Sequence, residues 1–341
     1  MSERAAFLDV CPGERRGVVT LDGRPERLWI ERSGVEAGPR LGARYRGRVS
    51  RISADGRLGF VELGPDGAGV LPQKPATRLA QGAVLELEVV AEARQDKLPA
   101  LKALGPSEGR PGRLAEAPSL EARLAAAAPG ASVQGGPAAR EAADAAEEAA
   151  LAIRHDLGGG VSLWLEPTRA LTAVDVDWTN QAGSGAGRAM QGNLLAISQA
   201  ARLLRLKRLG GTVVIDLLGF PGPDPALRAA AREAFAPDGP GVAVFPVSRL
   251  GLLQVSKPHG EQPLRELLCG ADGALSARSI AQRLVRALAR EGAADPGGRL
   301  EAACSPEVAA ELEPLARELG PRFQVAAQLG MARAATDIIR R

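Results

Sequence analysis

A strand–helix–strand pattern in the middle of the chain restricts the folds that this sequence can adopt. The stretch "LTAVDVDW" (171–178) predicts a strand, residues 188–208 predict a helix with one apolar face, and "TVVIDLLGF" (212–220) predicts the next strand. The pair Gly210-Gly211 ends the helix. If the two strands are neighbours, the helix forms a right-handed crossover between them. The pattern therefore predicts an α/β layer with mixed strand pairing.

Three aspartates lie in these two predicted strands. Because side chains alternate along a strand, Asp175 and Asp177 share one face, and Val174 and Val176 share the other. Asp216 lies in the apolar run "VVIDLL", which is typical of a strand covered on both faces, where an unpaired carboxylate is costly. A hard cation would compensate this charge. Mg²⁺ bound to Asp175 and Asp216 would activate a water for attack on a phosphodiester, with Asp177 orienting that water.

Two other interpretations of the same residues stay open at this point. Each acid could cap a loop or pair with one of the many arginines of the chain. Alternatively, the glycines of "GSGAG" (183–187) could cradle a dinucleotide pyrophosphate at the start of the helix. That second interpretation fits poorly, because the spacing is Gly-x-Gly-x-Gly and two carboxylates precede the loop, where they would repel phosphate.

The first third of the chain predicts β structure. "GVVTLDGRPERLWIE" (17–31) alternates around the turn signal Asp22-Gly23 and predicts a hairpin. Five short strands are predicted next, separated by the turns "SADG", "GPDG" and "QG": "RYRGRVSRI", "RLGFVEL", "GAGVLP", "VLELEVVAEA" and "LPALKAL". Five short strands between residues 44 and 104 are typical of a small Greek-key barrel of the OB class.

The remaining segments predict helices and a small module. Residues 111–151 are rich in Ala and Glu and broken by Pro129 and by "GGP" at 135–137, which predicts short exposed helices that join two domains. At the C-terminal end, a serine-capped amphipathic helix ("SARSIAQRLVRALARE"), a strand, a helix that starts at a proline and a further strand predict a small α/β module.

Composition excludes several classes of protein. The 341 residues carry a formal charge of +3, which neither requires nor excludes a nucleic-acid partner. No apolar run reaches the roughly 20 residues of a membrane span, and the charged N-terminus lacks the core of a secretory signal. We therefore expect a cytoplasmic protein without a membrane partner. Cys11, Cys269 and Cys304 are too scattered for a disulfide framework and are expected to be reduced.

Several long motifs resemble the ribonuclease E/G family. "LTAVDVDW", "GNLLAISQAARLLRLKRLGGTVVIDLL" and "VSRLGLLQVSK" are similar in order and nearly in spacing to its catalytic core, and "RYRGRVSRISADGRLGFVELGPDGAGVLPQK" resembles its RNA-binding barrel. The resemblance implies an α+β and α/β multidomain protein: an OB-type β-barrel RNA-binding domain, a DNase-I-like α/β catalytic domain and a small α/β C-terminal module. The implied boundaries are 1–38 (N-terminal β segment with the reduced RNase H-like part), 39–106 (barrel), 107–156 (Ala-rich linker and remnant RNase H-like part), 157–262 (catalytic) and 263–341 (C-terminal).

The resemblance also implies an activity and site residues. It implies a Mg²⁺-dependent endoribonuclease, with Mn²⁺ as a second candidate ion, that cuts single-stranded AU-rich RNA in rRNA processing or mRNA decay and leaves a 5′ phosphate. The metal-binding aspartates of the family fall on Asp175 and Asp216, and its supporting asparagine falls on Asp177. In the barrel, an RNA-stacking aromatic falls on Phe60 and an RNA-contacting lysine on Lys97, while Val70 replaces a second aromatic, which removes one stacking platform.

Basic residues near the acids are further candidates for RNA contact. On the predicted helix these are Arg205 and Arg208, which could equally be the charges of an ordinary solvated helix end. Arg249 and Lys257 belong to the "VSRLGLLQVSK" segment, which adjoins the metal site in the family.

Departures from the family pattern leave a second function open. No counterpart of the family's insert for sensing a 5′ monophosphate lies between Gly105 and His155. Only Cys269 stands where the family has a Cys-Pro-x-Cys zinc link, and one thiolate per chain cannot build that four-sulfur site, so zinc is not expected. A homodimer through the C-terminal module stays open. The alternative function is a non-catalytic RNA-binding protein that retains the fold.

Overall fold

The computed structural model describes residues 3–34, 38–72, 79–95, 97–178, 186–219, 222 and 224–341. Most of the "GSGAG" segment lies outside the described residues. The N-terminal part is a four-stranded sheet of order β10-β1-β2-β3 with two helices packed on it. Its elements are β1 (Arg4–Cys11), β2 (Glu14–Leu21), β3 (Arg24–Arg32) and, after the barrel, α1 (Leu120–Ala127), β10 (Val133–Gln134) and α2 (Gly136–Leu151).

The β2–β3 connection confirms the predicted hairpin. Its two turn residues, Asp22 and Gly23, have φ values of 50° and 75°, the left-handed conformation that a tight two-residue hairpin turn requires. Glycine adopts this conformation without strain, and aspartate is among the residues that tolerate it best. The turn sequence therefore sets the register of the β2–β3 pair.

The five predicted short strands form a closed barrel. Strands β4 to β8 pair in the cyclic order β4-β5-β6-β8-β7, and β4 pairs with both β5 and β7, which closes the ring. The bounds are β4 (Arg44–Ile52), β5 (Leu58–Glu62), β6 (Ala68–Pro72), β7 (Val84–Ala91) and β8 (Ala100–Pro106). A short strand, β9 (Gly112–Ala115), adds to β4. Alternate residues such as Tyr45, Val49, Val61, Leu87 and Leu101 fill the interior, as expected of an OB-type barrel.

A six-stranded mixed sheet follows and holds the largest core. Its order is β11-β12-β13-β14-β16-β15, and β13 and β14 are parallel neighbours joined through α3, as the crossover pattern predicts. The elements are β11 (Arg154–Gly158), β12 (Val161–Pro167), β13 (Thr172–Trp178), α3 (Ala186–Leu206), β14 (Gly211–Asp216), α4 (Pro225–Phe235), β15 (Ala243–Val244) and β16 (Leu252–Lys257). Apolar residues of α3 and α4 pack on one face of this sheet.

The opposite face of the six-stranded sheet carries exposed side chains, Trp164, Asp175 and Asp216 among them, which corrects one prediction. The run "VVIDLL" is not covered on both faces: Val213 and Ile215 are buried, whereas Val214 is half-buried and Asp216 is exposed. The strand has the alternation of a sheet with one covered face, because the helices pack on one side only. We call the exposed side the open face.

The Ala-rich segment also differs from its prediction. Helix α2 is not an exposed connector, because Ala139, Ala143, Ala146 and Ala150 are buried where the helix packs on the N-terminal sheet. Small side chains let the helix approach the sheet closely, so a composition that resembles a linker here forms a packing surface.

The C-terminal part is a three-stranded sheet with two long helices, as the sequence predicts, plus one short helix and one strand that it does not predict. The order is β18-β17-β19, with β19 antiparallel to β17. The bounds are α5 (Leu264–Leu268), α6 (Ala277–Ala294), β17 (Leu300–Cys304), α7 (Pro306–Leu319), β18 (Phe323–Ala327) and β19 (Thr336–Arg340). Ser276 caps α6 by accepting from the Ser279 N–H. Among the described residues, no helix has the length and apolar character needed to cross a membrane.

Candidate active site

Three carboxylates lie on the open face of the six-stranded sheet. Asp175 of β13 and Asp216 of β14 are direct register partners in the parallel pair, so their Cα atoms lie at about the 4.8 Å spacing of neighbouring strands. Asp177 lies two residues further along β13 on the same face. All three side chains are exposed. The fold thus brings together two acids that are distant in sequence.

The electrostatics of the pair are unfavourable without a further ligand. Within the described ranges, neither Asp175 nor Asp216 has a hydrogen-bond or ion-pair partner. Burial, Asp216 and Asp177, in that order, raise the pKa of Asp175. Asp177 accepts a hydrogen bond from the Trp178 N–H at 2.7 Å, which holds one of its oxygens near its own backbone. The arrangement concentrates negative charge that no described side chain neutralises.

The position of Asp216 is held by a buried amide. Asn193 of α3 is almost fully buried, and its side chain donates to the Leu218 carbonyl at 3.1 Å and accepts from the Leu218 N–H at 2.8 Å. This two-way bond fixes the chain just after β14, two residues from Asp216. The preceding Gly192 allows the approach, because a Cβ there would lie 2.7 Å from Leu218 Cδ1. Asn193 is therefore a positioning residue for the acid pair.

The donor set fits a hard divalent cation. Two adjacent carboxylates without a cationic partner offer the ligands that Mg²⁺ takes from proteins, with water and substrate phosphate completing its shell. In the part of the chain that the structure describes, no group of three or more His, Cys, Asp or Glu is arranged to hold a metal. Asp177 lies two residues along β13 from Asp175 on the same face, beside the pair.

Three predicted RNA-contacting residues are accessible. Phe60 is half-buried on the outer side of the barrel and packs against the Arg51 guanidinium, 4.2 Å from the ring centroid. Phe60 does not belong to the hydrophobic core of the barrel, so its ring does not fill the barrel interior. Val70 is its direct cross-strand partner, where the resemblance implies a second aromatic. Lys97 and Arg249 are exposed.

Three other predicted contacts have hydrogen-bond or ion-pair partners inside the protein. Arg205 is buried and pairs with Glu26 at 3.0 Å and Asp238 at 2.7 Å. Lys257 pairs with the same Asp238 at 3.3 Å, and burial lowers its pKa. Arg208 donates to the backbone carbonyls of Leu28 and Gln262, with its side chain 8% exposed. An RNA phosphate would have to compete with these internal partners for each of the three charges.

Two residues of interest were not predicted from the sequence. Asn193 sits among apolar residues on a helix face that is buried, and a polar residue in that position was the available signal. Trp164 is 40% exposed on the open face and is the register partner of Asp175. Its signal was the break in alternation in "VSLWLEP", where a large aromatic stands on the face that carries the acids in the next strand.

Fold and site together define a class: a mixed α/β protein in which a closed five-stranded barrel accompanies a sheet that presents paired carboxylates on an open face. Residues 140–259 match the model of the Ribonuclease E/G family. The matched segment includes Asp175, Asp216, Asn193 and Trp164. Over this segment, about a third of the chain, the sequence is similar to the ribonuclease E/G family.

Individual relatives agree with this assignment over part of their length. Ribonuclease E of Escherichia coli (strain K12) is 33% identical over 114 residues, which is 32% of this chain and 11% of the relative. Ribonuclease E of Buchnera aphidicola (subsp. Acyrthosiphon pisum) is 33% identical over 115 residues, 32% of this chain and 13% of the relative. Ribonuclease G of Escherichia coli (strain K12) is 25% identical over 179 residues, 48% of this chain and 36% of the relative. The chain thus matches only a minor part of each of these proteins.

Proposed function

We propose that this chain is a Mg²⁺-dependent endoribonuclease that cleaves single-stranded AU-rich RNA in RNA processing or decay and leaves a 5′ phosphate. The observation that carries the proposal is the in-register pairing of Asp175 and Asp216 on the open face, inside the segment that matches the family. The six-stranded sheet with α3 and α4 would be the DNase-I-like catalytic domain that the resemblance implies.

The residues of the site would divide the work as follows. Asp175 and Asp216 would hold the ion, because their charges are adjacent and have no described partner. When bound, Mg²⁺ supplies a water of lowered pKa and neutralises charge on the phosphodiester. Asp177 would accept a hydrogen bond from the attacking water through its free oxygen and thereby orient it. Asn193 would keep Asp216 in register with Asp175.

The barrel would supply RNA affinity. Phe60, with Arg51 beside its ring, combines an aromatic face for a base with a positive charge for the backbone. Lys97 and Arg249 are exposed cations that could contact phosphates without giving up a partner within the described residues. Because Val70 replaces a second aromatic, a base at this position could stack on one ring instead of two.

The proposal is tested with a 5′-end-labelled, AU-rich single-stranded RNA incubated with the protein in Mg²⁺ or in EDTA. We expect internal cuts in Mg²⁺ only. Asp216→Asn is expected to slow cleavage at least about 100-fold, the usual order for losing a group that stabilises transition-state charge directly. Glu166→Gln is the matched control, because Glu166 is an exposed acid on the same open face, in β12. This variant should cleave the RNA at the normal rate. Undiminished cutting by Asp216→Asn would contradict the proposal.

A non-catalytic RNA-binding protein is the second candidate. It is favoured by Asp177, which stands where the family has an asparagine and adds a third negative charge that acts on Asp175. This function predicts binding of the same RNA in EDTA and in Mg²⁺ with equal affinity and no cuts under either condition.

A further inference from the structure

A large aromatic ring stands beside the acid pair and takes no part in the roles assigned so far. Trp164 lies in β12 with its side chain on the open face, while its neighbours Leu163 and Leu165 are buried in the core. It is the direct cross-strand partner of Asp175. Partners in an antiparallel pair have Cβ atoms about 5 Å apart, so the indole lies next to the carboxylate that would hold the ion.

An arginine supports this ring from the other side. Arg154 of β11 is the cross-strand partner of Trp164, and its Cζ lies 5.7 Å from the indole centroid, within cation–π range. The open face therefore carries one row of register partners across four strands, in the order Arg154, Trp164, Asp175, Asp216. A single exposed aromatic needs no explanation by itself. The position of Trp164 in this row, between a cation and the acid pair, does need an explanation.

We propose that Trp164 stacks on the RNA base next to the phosphodiester bound at Asp175 and Asp216, and that Arg154 supports the ring and attracts the adjoining phosphate. This inference rests on the proposed function and adds a substrate-binding residue to it. A base is neutral and has a π face, so it can lie against indole beside carboxylates that would repel an anionic group. The phosphate on its other side meets the positive charge of Arg154.

Two variants of Trp164 distinguish stacking on the ring from simple apolar contact. Trp164→Leu keeps apolar contact but removes the stacking face, and Trp164→Phe keeps a ring. Binding of a fluorescein-labelled AU-rich single-stranded RNA is measured by anisotropy in EDTA, where no cleavage interferes. We expect Kd to rise between about 5-fold and 100-fold for Trp164→Leu, which is the usual loss of one stacked base, and by less than about 3-fold for Trp164→Phe. Equal Kd values for Trp164→Leu and the unmodified chain would overturn the inference.

Phe245 provides the matched control. It directly follows β15 and is 48% exposed. Its N–H donates to the Gln254 carbonyl of β16, so it belongs to the same sheet. Strands β14 and β16 separate it from the strand that carries Asp175. Phe245→Leu should change Kd less than 2-fold. A loss as large as that of Trp164→Leu would overturn the inference, since the effect would then belong to exposed aromatics in general.

An abasic scan of the RNA identifies the stacked base. With the unmodified chain, one abasic position next to the cleaved bond should weaken binding as much as Trp164→Leu does. With Trp164→Leu, the same abasic position should have no further effect, because the partner ring is already gone. Additive losses at every position would overturn the inference.

Failure of the nuclease and failure of the stacking contact give different results. If no RNA is cut in Mg²⁺ but Kd in EDTA still depends on the ring, the nuclease proposal falls and the stacking contact stands. If RNA is cut in Mg²⁺ but Kd is the same for Trp164→Leu and the unmodified chain, the nuclease stands and the stacking contact falls.

Discussion

Where the N-terminal sheet meets α2 and α6, three buried carboxylates each contact an arginine, whereas on the open face Asp175 and Asp216 meet only each other within the described residues. Asp9 lies 2.6 Å from Arg16, Glu14 lies 2.8 Å from Arg32, and Glu147 is shared among three arginines. The contacts of Glu147 are with Arg16 at 3.2 Å, Arg283 at 2.7 Å and Arg286 at 3.1 Å. We call these residues the buried ion-pair network.

The two regions show how the surroundings decide what a carboxylate does. Burial alone would raise the pKa of Glu147, but Arg286 and Arg283 outweigh it and the pKa is lowered, so the group is held ionised. For Asp175, burial, Asp216 and Asp177 all act in the same direction and raise the pKa. Acids of the first kind hold elements together, and acids of the second kind carry a charge that a cation bound from outside the chain would neutralise.

The largest effect is expected where the buried ion-pair network is broken. Glu147→Gln leaves Arg16 and Arg286 buried with less negative charge, and the loss of one partner from a buried ion pair costs about 3–5 kcal/mol. The free energy of unfolding from urea titration should fall by that order. Glu148→Gln is the control, because the neighbouring Glu148 is exposed on the same helix. This variant should change the free energy of unfolding little. Equal urea midpoints for the two variants would show that the network is not structural.

An intermediate effect is expected at the residue that positions the acid pair. Asn193→Ala leaves the buried N–H and carbonyl of Leu218 without their partner and should lower the free energy of unfolding by about 1–3 kcal/mol. It should also slow cleavage, because Asp216 loses the bond that fixes the end of its strand. Gln191→Ala, at an exposed position of the same helix, should do neither. Lower stability with unchanged cleavage per folded molecule would restrict Asn193 to a structural role.

The smallest effect, and the opposite sign, is expected at the acid pair. In EDTA at neutral pH, Asp175→Asn removes repulsion and should raise the free energy of unfolding by a few tenths of a kcal/mol, since exposed charges interact weakly. A raised pKa means that the ionised form is the disfavoured one, so the gain is present above the pKa of Asp175 and disappears as pH falls through it. Urea titrations at neutral and acidic pH measure both. A loss of stability on this substitution would mean that Asp175 has a structural partner.

Local patterns predict the elements of this fold well, because their periods are properties of short segments. Strand β4 (Arg44–Ile52) has the bounds that the sequence predicts. The convergence of Asp175 and Asp216 could also be predicted, because a crossover helix between two strands makes them neighbours. The predicted domain boundaries, the site roles and a C-terminal homodimer stay predictions.

What the sequence could not predict depends on contacts between distant segments. The apolar run "VVIDLL" does not reveal that helices cover only one side of the sheet. Nor does the charge of Arg205 reveal that Glu26 and Asp238, from two remote parts of the chain, hold it inside. The role of Trp164 follows from its register with Asp175, and register is set by pairing rather than by composition.

The acid pair exists only when two strands that are far apart in sequence lie side by side. In the unfolded chain Asp175 and Asp216 are separate carboxylates, so a divalent cation that binds the pair is a ligand of the folded state alone. By mass action, such a cation shifts the unfolding equilibrium in proportion to the logarithm of its concentration above its dissociation constant. The ion that would serve the chemistry would then also set the melting temperature, and a heating curve recorded in increasing Mg²⁺ would report the affinity of the site without any RNA.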